Sequence, residues 1–168
     1  MRVYVPLTLP GLFAVHRTGE VGPAPFDAYA VTPGLREWYV SDDLEELEYA
    51  ALTRAAQASL RKVATTPDAP RRRVVLAMDV NDGIVRTDPD RNLDRSAVGA
   101  VSITAPVSMR RARAVHVDGA EAEPDVSAAA EALGAADLGD DDARFVVDGV
   151  EDHELLWYGV QEIEHLEG

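Results

Sequence analysis

One segment limits the possible folds more than any other: residues 42–64, DDLEELEYAALTRAAQASLRKVA. Asp42 and Glu45 have the spacing of a capping box, in which one side chain accepts from the free N–H groups of the first turn and the other reaches back. Asp42, Asp43, Glu45 and Glu46 stand where a helix dipole is positive, and Arg61 and Lys62 where it is negative. Between them Leu44, Leu47, Ala51, Ala55 and Ala58 interleave with Leu52, Ala56, Leu60 and Val63 at three- and four-residue spacing. The segment therefore reads as one long helix, stopped before Pro67 and Pro70. Its apolar stripe is mostly alanine, so it has to lie close against a sheet or a second helix.

The residues before it supply the sheet. Residues 2–5 read as an opening strand ended by Pro6, and Thr8 caps a short helix through about His16 that Gly19 stops. Residues 26–31 alternate as a strand, and Thr32-Pro33 starts a helix bearing Trp38 and Tyr39. For this β-α-β-α order, parallel pairing through a right-handed crossover is the expectation. The apolar run within residues 72–80 suits a central strand covered on both faces.

A polar excursion follows over residues 81–97. Asp88, Asp90, Asn92 and Asp94 alternate as in a calcium loop, but Leu93 stands where such a loop needs glycine and Gly99 where it needs glutamate, so a solvated loop is preferred. Residues 98–107 and 113–117 read as strands of an antiparallel hairpin. Pro124 and Asp125 open an alanine-rich helix closed by Gly134. Residues 145–147 then form a strand, and a final helix runs from Glu151. The only two tryptophans are each followed by tyrosine, and aligning Trp38 with Trp157 also brings Phe26 onto Phe145 and Val31 onto Val150. This internal echo suggests a duplication.

The expected fold is thus α+β or α/β: one mixed sheet of about six strands covered by helices, with two β-α-β-α units and an internal pseudo-duplication. Residues 1–168 suit a single globular domain. No apolar run approaches the roughly 20 residues of a membrane span, and the start lacks the form of a signal peptide, so a cytoplasmic protein without membrane partners is expected. The absence of cysteine excludes disulfides, thiolate metal sites and a cysteine nucleophile. A formal charge of −14 argues against nucleic acid as a partner, because phosphate backbones are bound by neutralising them. Among 16 basic residues only Lys62 is lysine, a bias typical of GC-rich genomes.

The segments MRVYVP, AYAVTPGLREWY with the following LEELEYAALTRAAQASL, AVHVDGAEAEPDV, and FVVDGVEDHELLWYGVQEI together resemble a family of small uncharacterised actinobacterial proteins, a domain of unknown function. The resemblance spans nearly the whole chain and implies no activity and no site residue.

The chemistry must then come from the residues. No G-x-S-x-G elbow and neither phosphate-cradling glycine signature occurs, so no catalytic residue is assigned and no cofactor is expected. Trp38, Tyr39, Trp157 and Tyr158 are interface candidates, since adjacent residues of a helix cannot share one narrow buried stripe. Arg71, Arg72 and Arg73 with Arg110, Arg111 and Arg113 flank predicted strands, and would hold a small anionic ligand if both groups met at one end of the sheet. His116, Asp118 and His153 are the weak candidates for a metal; the preferred assignment makes Asp152 a helix cap and His116 an ordinary half-buried strand residue. The favoured function is a non-enzymatic interaction module, homodimeric through a Trp-Tyr helix or an exposed strand. The alternatives are a binding protein for a small anion and a metal-assisted hydrolase using His116 and His153.

Overall fold

A computed structural model describes residues 1–87 and 97–166; the alternating acids Asp88, Asp90, Asn92 and Asp94 lie outside them. In chain order the elements are β1 (Arg2–Leu7), α1 (Leu9–Thr18), β2 (Glu20–Val21), β3 (Phe26–Ala30), α2 (Pro33–Tyr39), α3 (Leu44–Ala64), β4 (Val74–Asp79), β5 (Val85–Arg86), β6 (Ala100–Ile103), β7 (Val107–Ser108), β8 (Ala112–Val117), α4 (Glu123–Asp137), α5 (Asp141–Gly149), β9 (Leu156–Tyr158) and α6 (Ile163–Leu166). The fold is α+β. Seven strands form one sheet in the order β5-β6-β3-β1-β4-β8-β9, and β2 pairs with β7 as a separate ribbon.

The long helix forms as its sequence dictates, with one change at its start. Asp43, not Asp42, is the cap: its Oδ1 accepts from the N–H groups of Glu45 and Glu46 at 3.0 and 3.3 Å. The alanine stripe lies on the sheet. Ala50, Ala51, Ala55 and Ala56 pack with Tyr4, Val75, Ala77 and Ala114, while Leu44, in the first turn, stays exposed. Ser59 ties helix to sheet, donating to the Leu7 carbonyl at 2.7 Å and accepting from the Val74 N–H at 2.8 Å. On the opposite face Leu9, Leu12 and Val15 of α1 and Ile163 of α6 bury Val3, Val5, Leu76, Met78 and Val115. Alternation along β1 and β4 thus feeds two cores, which is why the 74–78 run is apolar throughout. A third cluster joins Leu60 and Val63 of α3 to Val126, Ala129 and Leu133 of α4 and Val147 of α5.

Three expectations are corrected. Every ladder described is antiparallel, β1 against β3 included. The segment 19–25, held through β2 on β7, brings the chain back to the end of the sheet where β1 stops, so no crossover to a parallel strand occurs. Strands β6 and β8 are not a hairpin: β6 lies between β5 and β3, and β8 between β4 and β9. Alternation marks a strand but does not name its partner.

The third correction concerns the echo. Asp140 accepts from the Ala143 N–H at 3.0 Å and opens α5, so Phe145 to Val147 are helical. Leu156 to Tyr158, expected in a helix, instead pair with Val117 to Val115. Phe26–Tyr39 is strand then helix and its counterpart helix then strand, so the pseudo-duplication is not a structural repeat. The run Leu155-Leu156-Trp157-Tyr158 is too short for its period to be read, and the available edge of β8 decides it. Helix α4 also continues through Gly134 to Asp137.

Candidate functional site

An open cleft of about 1380 Å³ lies over the outward side of α3. Thr53, Arg54, Gln57 and Arg61 of α3 form its floor, spaced at three and four residues as one helix face requires. Trp38 and Tyr39 line it from the end of α2; Asp137, Arg144 and Asp148 line it from α4 and α5. Thr32 places the aromatic pair: its hydroxyl accepts from the Leu35 N–H at 3.1 Å, Pro33 opens the helix, and Leu35 is the buried anchor. The chain then turns out through Val40, at φ 48°, leaving Trp38 48% and Tyr39 42% exposed.

The charges of the cleft are largely held in pairs. Arg61 Nη1 and Nη2 donate to both Asp137 oxygens at 2.9 Å, which keeps the Asp137 carboxyl below its usual range and raises the guanidinium. Arg144 lies 3.8 Å from Asp137 and 3.7 Å from Asp148, too far for hydrogen bonds to either. Gln57 donates to Glu151. At the base Arg73 is buried: Nε and Nη2 donate to the two Asp118 oxygens at 2.8 Å, and Nη2 also donates to the His153 carbonyl at 2.9 Å. Arg54, Arg61, Arg73 and Arg144 thus face the cleft alongside three acids, Asp137, Asp148 and Glu151. In a chain of net charge −14 this lining stands out as not acidic. Guanidinium forks and aromatic faces there suit binding, and the tightly paired Arg61 and Asp137 are poor proton carriers.

The two arginine groups expected to meet do not. Because β4 and β8 run antiparallel, Arg73 stands beyond Val74, opposite Asp118, whereas Ala112 stands opposite Met78. The groups are roughly 15 Å apart at about 3.4 Å per residue. Arg72 donates to Glu123 at 3.2 Å. Arg113 sits at an irregularity in the β4–β8 register and donates to Asp79 at 3.0 Å, a carboxylate that Arg2 also contacts at 2.6 Å and whose pKa the two guanidiniums lower. Arg111 is exposed in the turn before β8.

His116, Asp118 and His153 do not share a centre. His116 is half-buried in β8, its pKa lowered by burial and by Arg2; Asp118 is taken by Arg73; His153 Nε2 lies 2.7 Å from Asp125. Asp152 belongs to a 3-10 turn and caps no helix. Among the described residues no three His, Asp or Glu gather as metal ligands. Trp157 and Tyr158 lie on β9, the strand that ends the sheet, and are not among the residues that line the cleft.

Arg54, Arg61 and Arg144 are the cleft residues that sequence reasoning passed over. One signal was present: Arg54 interrupts the alanine stripe between Ala51 and Ala55, and a buried arginine on such a face needs a reason.

A family model describing a family of unknown function, DUF6912, matches residues 1–166. The chain belongs to this family. Neither a curated protein nor a solved structure matches it. The match spans every element from β1 to α6, so all the residues that line the cleft lie within the family's extent. Among the described residues no helix is long and apolar enough to cross a membrane.

Proposed function

We propose that this family member is a non-enzymatic interaction module whose cleft over α3 receives a segment of a partner protein. The observation that carries the reading is the cleft itself: an open trough of about 1380 Å³ with Trp38 and Tyr39 exposed on its lip. Small-molecule sites are typically about 300–1,000 Å³ and enclose their ligand, whereas a longer open trough suits a length of chain. Trp, Tyr and Arg are the residues that most often anchor protein interfaces, and the cleft offers all three types. The setting that accompanies this reading is the cytoplasm of an actinobacterium.

A second reading, a small anionic ligand, draws support from Arg144, which lines the cleft beyond hydrogen-bond distance of Asp137 and Asp148, rather than from Arg72, Arg111 and Arg113. Both readings are tested together by selecting peptides from a displayed random library and by titrating citrate and pyrophosphate, with tryptophan fluorescence as the signal. The expected result is a family of peptides whose binding is lost in Trp38→Ala and weakened in Arg144→Glu. Saturable anion binding without any such peptide favours the second reading. Neither response would overturn both.

A further inference from the structure

We infer that the partner segment received by the cleft carries one basic side chain, arginine or lysine, which seats in a separate recess beside Trp38 with Glu37 as its counter-charge. The inference rests on the proposed function and adds what that partner must present. The recess, of about 330 Å³, is lined by Pro33, Gly34, Glu37, Trp38 and Val98. Trp38 also lines the cleft, so the two concavities share that side chain and a segment that crosses the lip meets both. Gly34 stands one helical turn before Glu37 and Trp38 on the same face of α2, and its lack of a side chain leaves room there.

Size and charge select the occupant. The volume stands at the lower end of the roughly 300–1,000 Å³ of small-molecule sites, room for one long side chain and not for a length of chain. Among the described residues that line the recess, Glu37 is the one that carries charge, and it is exposed. Its carboxylate makes no hydrogen bond or ion pair among the described residues, whereas Asp137 of the cleft is held by Arg61. An acidic side chain would be repelled there, and an apolar one would take the carboxylate out of water with nothing to pair it. A guanidinium or ammonium suits both walls: the carboxylate pairs with it, and an indole face attracts a cation more strongly than any other aromatic ring. The positive end of the helix dipole lies in the first turn of α2, and Glu37 and Trp38 stand in the second. A net charge of −14 also favours the approach of a basic segment before any contact forms.

The experiment selects peptides against the wild type and against Glu37→Lys from two displayed random libraries, one complete and one without arginine and lysine, and measures the best binders by fluorescence anisotropy. Glu37 is exposed, so Glu37→Lys and Glu37→Gln should leave the circular dichroism spectrum unchanged, which is checked first. The wild type should return peptides with arginine or lysine at one fixed position, and alanine at that position should weaken binding about tenfold. Glu37→Gln should weaken the parent peptide by a similar factor and leave its alanine version unaffected. Glu37→Lys should return peptides with aspartate or glutamate at that position, and the library without basic residues should give the wild type only weaker binders. Peptides that need Trp38 but share no basic residue, or whose basic residue is indifferent to Glu37→Gln, overturn the inference and leave the cleft as the binding site. Selections that return no peptide, or only peptides bound equally by Trp38→Ala, overturn the proposed function and the inference with it.

Discussion

The Arg73–Asp118 pair allows the most direct test of how the two halves of the chain are joined. Arg73 is 2% and Asp118 1% exposed, and they close the end of the β4–β8 ladder. Asp118 accepts from the Arg73 backbone N–H, Nε and Nη2, all at 2.8 Å, and its own N–H donates to the Arg73 carbonyl at 3.1 Å. In Asp118→Ala the guanidinium keeps only the His153 carbonyl while remaining out of water. An uncompensated buried charge costs about 3–5 kcal/mol. Against a total stability on the order of 5–15 kcal/mol, this is about a fifth or more of the margin of a typical domain. For a chain of this size it corresponds to a Tm lowered by roughly 6–20 °C. The double variant Arg73→Met with Asp118→Ala removes both charges and leaves only backbone groups to find new partners, at about 1 kcal/mol each, and Arg73→Met is the second single variant. It should therefore be more stable than Asp118→Ala alone. Urea unfolding followed by circular dichroism, with free energies from linear extrapolation, completes the double-mutant cycle. A cost below about 1 kcal/mol for Asp118→Ala, or additive costs in the double variant, would refute the reasoning, because either means that the carboxylate is not what compensates the guanidinium.

Two further outcomes follow from the same geometry. Ser59→Ala removes the hydroxyl that bridges the Leu7 carbonyl and the Val74 N–H and leaves a buried N–H unpaired, so it should lower stability by about 1–3 kcal/mol in the same unfolding assay; a change under about 0.5 kcal/mol would show that the Val74 N–H finds another acceptor. His116 has a folded pKa below its ordinary 6.5, so below that pH the unfolded chain binds a proton that the folded chain does not. The stabilisation from neutral His116 is complete above about pH 6.5 and is lost as pH falls through the folded value. Asp79, lowered from 3.8, acts in the same direction only below about pH 4. His116→Gln should flatten the decline of Tm between about pH 7 and pH 5, and an unchanged decline would assign it to other groups.

What the sequence made legible was local. Thr8 and Thr32 cap the helices that follow them, Gly19 ends α1 at φ 78°, and the alanine stripe of α3 lies on the sheet, because each depends on side chains within a few residues of one another. The continuous apolar run of β4 likewise announced a strand covered on both faces. Where the signal was short it failed. Phe145 to Val147 went into a helix once Asp140 capped it, and Leu156 to Tyr158 went into a strand because β8 offered an edge.

Which strand pairs with which, and therefore which side chains share a site, was decided by the tertiary structure alone. Antiparallel pairing of β4 with β8 separates Arg73 from Arg113, although both flank strands in the sequence. Packing of α4 and α5 against α3 brings Arg144 and Asp148 beside Arg54 and Arg61, residues from distant parts of the chain. The sequence by itself determined the capped helices, the apolar central strand and the acidic, cysteine-free surface chemistry, since these need only neighbours along the chain. The sheet order, the cleft over α3 and the bare edge at β9 depended on contacts between residues far apart in sequence, where loop-closure entropy and the packing of complementary faces choose among partners that local patterning leaves equivalent.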